Sequence, residues 1–123
     1  MVKPEFTGKR DLTYNLWHRT VGDQYYMLDV DCLEWRNGRG IVAIIERGLY
    51  NSESNYSKEA IIRFKRFELK VVTELSQKLK VPAYLTFYNI ELSEFDVYQI
   101  QSEQALHFKK MNVEEYSNFI RNL

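Results

Sequence analysis

The alternation of apolar and polar positions changes rhythm along the chain, and each change marks an element. Residues 12–20 read as a short helix, residues 25–36 as a long strand, and residues 41–49 as a second strand that is almost purely apolar until Glu46. Between the two strands lies Asn37-Gly38, a pair that tolerates the positive φ of a type I′ hairpin turn. Ser57 suits an N-cap, and Ile61, Phe64, Val71, Leu75 and Leu79 recur at helical spacing, so residues 57–79 read as one long amphipathic helix. Pro82 opens a new element. Residues 83–89 (AYLTFYN) read as a buried strand, residues 95–101 as an alternating one, and residues 113–123 as a closing helix. This order predicts an α/β fold in one domain over residues 1–123, with a mixed central β-sheet flanked by helices.

A two-residue turn at Asn37-Gly38 fixes the opposing pairs as Arg36 with Arg39, Glu34 with Ile41, Asp31 with Ile44 and Asp29 with Glu46. Opposed residues share a face, so Asp29, Asp31 and Glu46 project from the same side, with Asp31 diagonal to Glu46 at about 7 to 8 Å between backbones. Their neighbours Leu28, Val30, Leu33, Ala43, Ile44 and Ile45 are apolar. Carboxylates gathered on a buried face repel one another and resist ionisation unless a cation neutralises them. Two accounts stay open on geometry alone: a metal site, or acids that face solvent or pair with Arg19, Arg47 or a lysine.

Composition narrows the classes without choosing among them. The 17 basic and 17 acidic residues cancel, so a phosphate-binding surface would have to come from uneven distribution, such as the basic excess from Lys58 to Lys80. With one cysteine and two histidines the chain has no zinc-finger spacing and no internal disulfide. The polar start MVKPEFTGKRD lacks the apolar core of a secretory signal and no stretch is long enough for a membrane span, so the expectation is a soluble, intracellular chain. No phosphate-binding P-loop, dinucleotide fingerprint or nucleophile-elbow motif occurs.

The run Tyr26-Met27-Leu28-Asp29-Val30-Asp31, the turn at Asn37-Gly38 and the run Ile41-Val42-Ala43-Ile44-Ile45-Glu46 resemble the core of the PD-(D/E)XK, or restriction-endonuclease-like, nucleases. The long helix followed by Val81-Pro82-Ala83-Tyr84-Leu85-Thr86-Phe87-Tyr88 is similar to the helix and strand that complete that core. The resemblance implies that Asp31 and Glu46 bind Mg²⁺ or Mn²⁺ and that the chain hydrolyses phosphodiester bonds in DNA, without strong sequence preference. The family's lysine, two residues after the second acid, is replaced by Gly48. Members of the family relocate that lysine to the following helix, which makes Lys65 the candidate catalytic cation. A histidine in the first helix joins the metal shell in some branches, and His18 stands in a comparable place.

Cys32, opposite Ala43 in this register, faces away from the acids as a small buried residue. Tyr50 and Tyr56, in the polar loop after Glu46, are candidate stacking surfaces for unpaired bases. His107 falls in a polar segment before the last helix. The expected partner is DNA, with a homodimer as the assembly to test. The competing function is a catalytically silent nuclease-like module that binds nucleic acid or protein.

Overall fold

In the computed structural model, which describes residues 12–51 and 53–123, the element order is α1 (Thr13–His18), β1 (Cys32–Arg36), β2 (Gly40–Leu49), α2 (Lys58–Phe64), α3 (Arg66–Leu79), β3 (Ala83–Tyr88), β4 (Phe95–Gln101), β5 (Gln104–Met111) and α4 (Val113–Arg121). The five strands form one mixed sheet in sequence order. Only β2 and β3 run parallel, which demands a crossover, and α2 with α3 supply it. The fold is therefore α/β with a mixed sheet flanked by helices.

Strand alternation then decides what each face carries. Ile44, Glu46 and Gly48 project to the side that also holds Ala83, Leu85, Phe87, Asp96, Tyr98 and Ile100. Leu69 and Val72 of α3, with Ile61, Ile62 and Leu75, pack against this face and form the main core. Ile44, Leu85 and Phe87 are fully enclosed, each burial contributing about 1.5–3 kcal/mol. The opposite face holds Arg47, Thr86, Phe95 and Val97 and is covered by α4, whose Tyr116 and Phe119 pack on Phe95, Val97 and Met111. A capping box between Asn112 and Glu115 starts α4 where the sequence pattern places it.

Five expectations need correction. The first strand is short: only Cys32–Arg36 joins the ladder, and residues 25–31 approach it without strand pairing. Val30 still packs on the core and Tyr26 stacks on Phe67, so the apolar character of this run serves side-chain burial more than pairing. The turn is one residue longer than expected, because Arg36 lies opposite Gly40, and Gly38 and Gly40 rather than Asn37 take positive φ. A second single-residue shift follows at a bulge between Glu34 and Trp35, so Cys32 lies opposite Ile45 and not Ala43. Two shifts of one residue restore the original parity.

The predicted helix over residues 57–79 is two helices that meet at Lys65, whose backbone leaves helical geometry at φ −87° and ψ 10°. Ser57 caps the first as expected, its hydroxyl accepting the Ala60 N–H. No proline or glycine announces the joint. The last correction is β5, which takes in His107 and was absent from the predicted order. Its turn uses Ser102 and Glu103 at positive φ, where a glycine or asparagine signal was missing. Among the described residues, no helix is long and apolar enough to cross a membrane. The polar start, residues 1–11, lies outside the described residues, as does Ser52 in the loop after β2.

Candidate functional site: a buried acid pair on adjacent strands

The restored parity places Asp31 beside Glu46. Asp31 immediately precedes the Cys32–Ile45 pair, and its Oδ2 accepts the backbone N–H of Arg47 at 2.9 Å. A carboxylate thus takes the amide at the point where the ladder with β1 ends, which fixes Asp31 against the strand that carries Glu46. Asp29 lies two residues further out and is exposed, so the direct opposition of Asp29 and Glu46 is not formed.

Glu46 sits in an unusual environment for an acid. The residue is 4% exposed, and its Oε1 has no hydrogen-bond partner among the described residues. Burial pushes the carboxyl up, and the Asp31 carboxyl facing it pushes further, first as a hydrogen-bond partner and then as a like charge. The Asp31 backbone amide and the Lys65 ammonium pull it back only partly, which leaves Glu46 at about 7. Without a cation, then, the Glu46 carboxyl is partly protonated near neutral pH.

Lys65 stands at the joint between α2 and α3, and its charge acts on Glu46 as the weakest of the influences named above. Its ammonium also contacts Glu68 at 3.4 Å. The break at Lys65 was invisible in the sequence. Gly48 lies on the Glu46 face as expected, but the space is taken: a Cβ there would stand 3.1 Å from Cδ1 of Phe87. An additional side chain at this position must displace a core ring.

His18 is not among the strongest influences on Glu46. It packs near Tyr14 and Trp17 of its own helix, ring centroids 6.4 Å away in each case. With Asn15, Arg19, Tyr25 and Tyr26 it lines a cleft of about 400 Å³. Among the described residues, no group of three or more His, Cys, Asp or Glu side chains is gathered to hold a metal ion. The acid pair therefore offers two side-chain ligands, a number that suits an ion which keeps waters and takes further oxygens from a substrate. Cys32 faces away from the acids, half-buried, and burial pushes its thiol up. Tyr50 packs on Phe87 and under the Lys58 ammonium, and exposed Tyr56 packs on Phe64.

A second buried acid escaped the sequence reading. Asp96, on the same face of the sheet, accepts a hydrogen bond from Lys58 at 2.9 Å and contacts His107 Nε2 at 2.6 Å. Burial alone would raise its carboxyl, but these two partners outweigh burial and hold it below the usual range. The sequence carried no clear signal for it, because residues 104–111 (QALHFKKM) do not alternate cleanly and a register shift precedes the pairing of His107 with Tyr98.

Comparison with known proteins adds no relative: neither a family model, nor a curated protein, nor a solved structure matches the chain.

Proposed function

We propose that the chain is a Mg²⁺- or Mn²⁺-dependent nuclease acting on DNA, built on a restriction-endonuclease-like core. The observation that carries this reading is the Glu46 carboxyl: nine-tenths buried, one oxygen without a partner, and faced by a second carboxyl on the approach to β1. An acid so placed destabilises the fold when ionised, and a divalent cation shared with Asp31 relieves both the desolvation and the repulsion. Bound there, the ion would position and acidify a water for in-line attack on a phosphodiester.

The chain's own groups do the rest. Arg47, through its backbone N–H, keeps Asp31 turned towards Glu46. Lys65 holds a positive charge beside the pair and stabilises the charge that grows on the phosphate oxygens, in place of the lysine replaced by Gly48. The cleft beneath α1, with Arg19, His18, Tyr25 and Tyr26, offers a guanidinium for phosphate and rings for unpaired bases. His18 has its place in that cleft as a substrate contact. Cutting both strands of a duplex in one encounter takes a second site, which a homodimer would supply, and sedimentation with and without duplex DNA measures that assembly.

The test is cleavage of labelled single-stranded, duplex and branched DNA in Mg²⁺ and in Mn²⁺. The proposal expects cleavage of at least one substrate, lost on chelation and lost in Asp31→Asn and Glu46→Gln. No cleavage of any substrate by the wild-type chain overturns the nuclease reading.

A further inference from the structure

The face of the sheet opposite the acid pair carries a second concavity, formed where Arg47, Thr86, Tyr88 and Phe95 line up across β2, β3 and β4 and Tyr116 of α4 closes one side. Its volume is about 210 Å³, below the roughly 300 Å³ at which pockets for drug-sized ligands begin, so it encloses a flat ring and leaves the rest of a larger ligand at its open mouth. The walls are aromatic: Phe95 and Tyr116 stack with centroids 4.2 Å apart and ring planes within 3°.

Two polar features break that apolar lining. Thr86, 2% exposed, and Tyr116 hold their hydroxyl oxygens 3.2 Å apart. One hydroxyl hydrogen joins them, and the other is left to donate outwards. Arg47 stands at the rim, exposed, and among the described residues its guanidinium has no ion-pair or hydrogen-bond partner. An arginine without a carboxylate beside an aromatic wall is built to receive a planar or anionic group.

The lip supplies an independent observation. Leu92 adopts φ 57°, a left-handed conformation uncommon for a bulky residue, and stays 51% exposed. It is held there by the Asn89 side chain, which accepts the N–H groups of Ser93 and Glu94 and donates to the Ser93 hydroxyl. The loop therefore spends conformational energy to keep an apolar side chain at the mouth of the pocket.

We infer that this pocket binds a flat aromatic ring bearing an anionic group, the ring against Tyr116 and Phe95 under Leu92 and the anion on Arg47. Nucleoside monophosphates and aromatic carboxylates both carry that chemistry. The inference does not rest on the reading of the acid pair, which lies on the other side of β2.

Calorimetry and NMR on the full chain test it, with AMP against adenosine and inorganic phosphate, and 4-hydroxyphenylacetate against its neutral amide. The expected result is saturable binding of at least one anionic ring, with shifts at Thr86 and Tyr116, unchanged by a chelator. That ligand should bind at least about tenfold more tightly than its neutral counterpart, and Arg47→Met should erase the advantage while Thr86→Val weakens binding severalfold. AMP as the tighter ligand assigns the pocket to nucleotides, and the carboxylate as the tighter one assigns it to aromatic acids. Equal affinity for charged and neutral rings, equal binding by Arg47→Met, or no binding of either anionic ring overturns the inference.

Discussion

Two acids are buried on the same face of one sheet, and they are treated oppositely. Asp96, on β4, is 7% exposed and receives Lys58 from the start of α2 and His107 from the neighbouring strand, so its charge is matched where it stands. Glu46, on β2, is as deeply buried, yet its nearest polar neighbour is another carboxyl and one of its oxygens has no partner. The consequence appears in their protonation: Asp96 is held below the usual carboxylate range, whereas Glu46 is pushed up to about 7. A buried acid with its own cation is part of the scaffold. One without a matching cation is a cost that the fold carries, and the metal-binding role proposed above is the account offered for that cost.

The largest effect expected from breaking this contrast lies in turnover. On the proposed mechanism, in which the ammonium acts on the developing phosphate charge and not as a ligand, Lys65→Ala should lower the cleavage rate by about 10² to 10³ while Mn²⁺ affinity changes little. Single-turnover rates beside metal titrations measure the two separately, and a parallel loss of both would make Lys65 a structural support of the pair.

Next come the two acids themselves, and the expected signs are opposite. Asp96→Asn removes the charge that Lys58 and His107 are built around, and denaturant melts at pH 7 should show a loss of about 2–4 kcal/mol. Glu46→Gln removes an unmatched charge and should stabilise the metal-free chain at pH 8 by about 1–3 kcal/mol, at about 1.4 kcal/mol per unit of pKa displacement. Destabilisation by both substitutions would erase the distinction between them.

The same contrast predicts two pH dependences. For Glu46 the folded pKa lies above the unfolded one, so its contribution is fully present below the ordinary carboxylate value and is lost as pH rises through about 7. For Asp96 the folded pKa is depressed, so its contribution is present above the ordinary value and is lost as pH falls through the folded pKa. Chelated wild type should therefore lose stability between about pH 5 and 8 by an amount that Glu46→Gln removes, while the acid-side loss shrinks in Asp96→Asn. Melts across pH for the three proteins read both limbs.

How much of this the sequence revealed depends on where long-range geometry intervenes. The apolar run that ends at Glu46 and the strand from Ala83 were legible because burial on both faces leaves a continuous hydrophobic signal. The nearness of Asp31 and Glu46 was legible for a less secure reason: the longer turn and the bulge each shifted the register by one residue, and together they kept both acids on one face. The joint at Lys65 and the turn at Ser102-Glu103 were not legible, since neither carries the glycine or proline that marks such breaks. Missing that turn hid β5, and with it the partnership of His107 and Asp96. The role proposed for His18 drew on family resemblance alone, and its ring packs near Tyr14 and Trp17 of its own helix.

A smaller effect is expected at Gly48. Gly48→Ala should cost about 1–3 kcal/mol in a thermal or denaturant melt, because its Cβ would meet the Phe87 ring at 3.1 Å and that ring is closed in by the core. No cost would mean that Phe87 yields freely and that the position can accommodate a side chain.

The central claim is that Asp31 and Glu46 share one divalent cation, and its most direct test is calorimetric titration of Mn²⁺ into the wild-type chain, Asp31→Asn and Glu46→Gln at pH 7. The wild type should bind about one ion and release protons on binding, since the Glu46 carboxyl is partly protonated at that pH and the metal displaces the proton. Each variant should lose at least about tenfold in affinity. Equal binding by all three proteins, or no binding by the wild type, would contradict the claim.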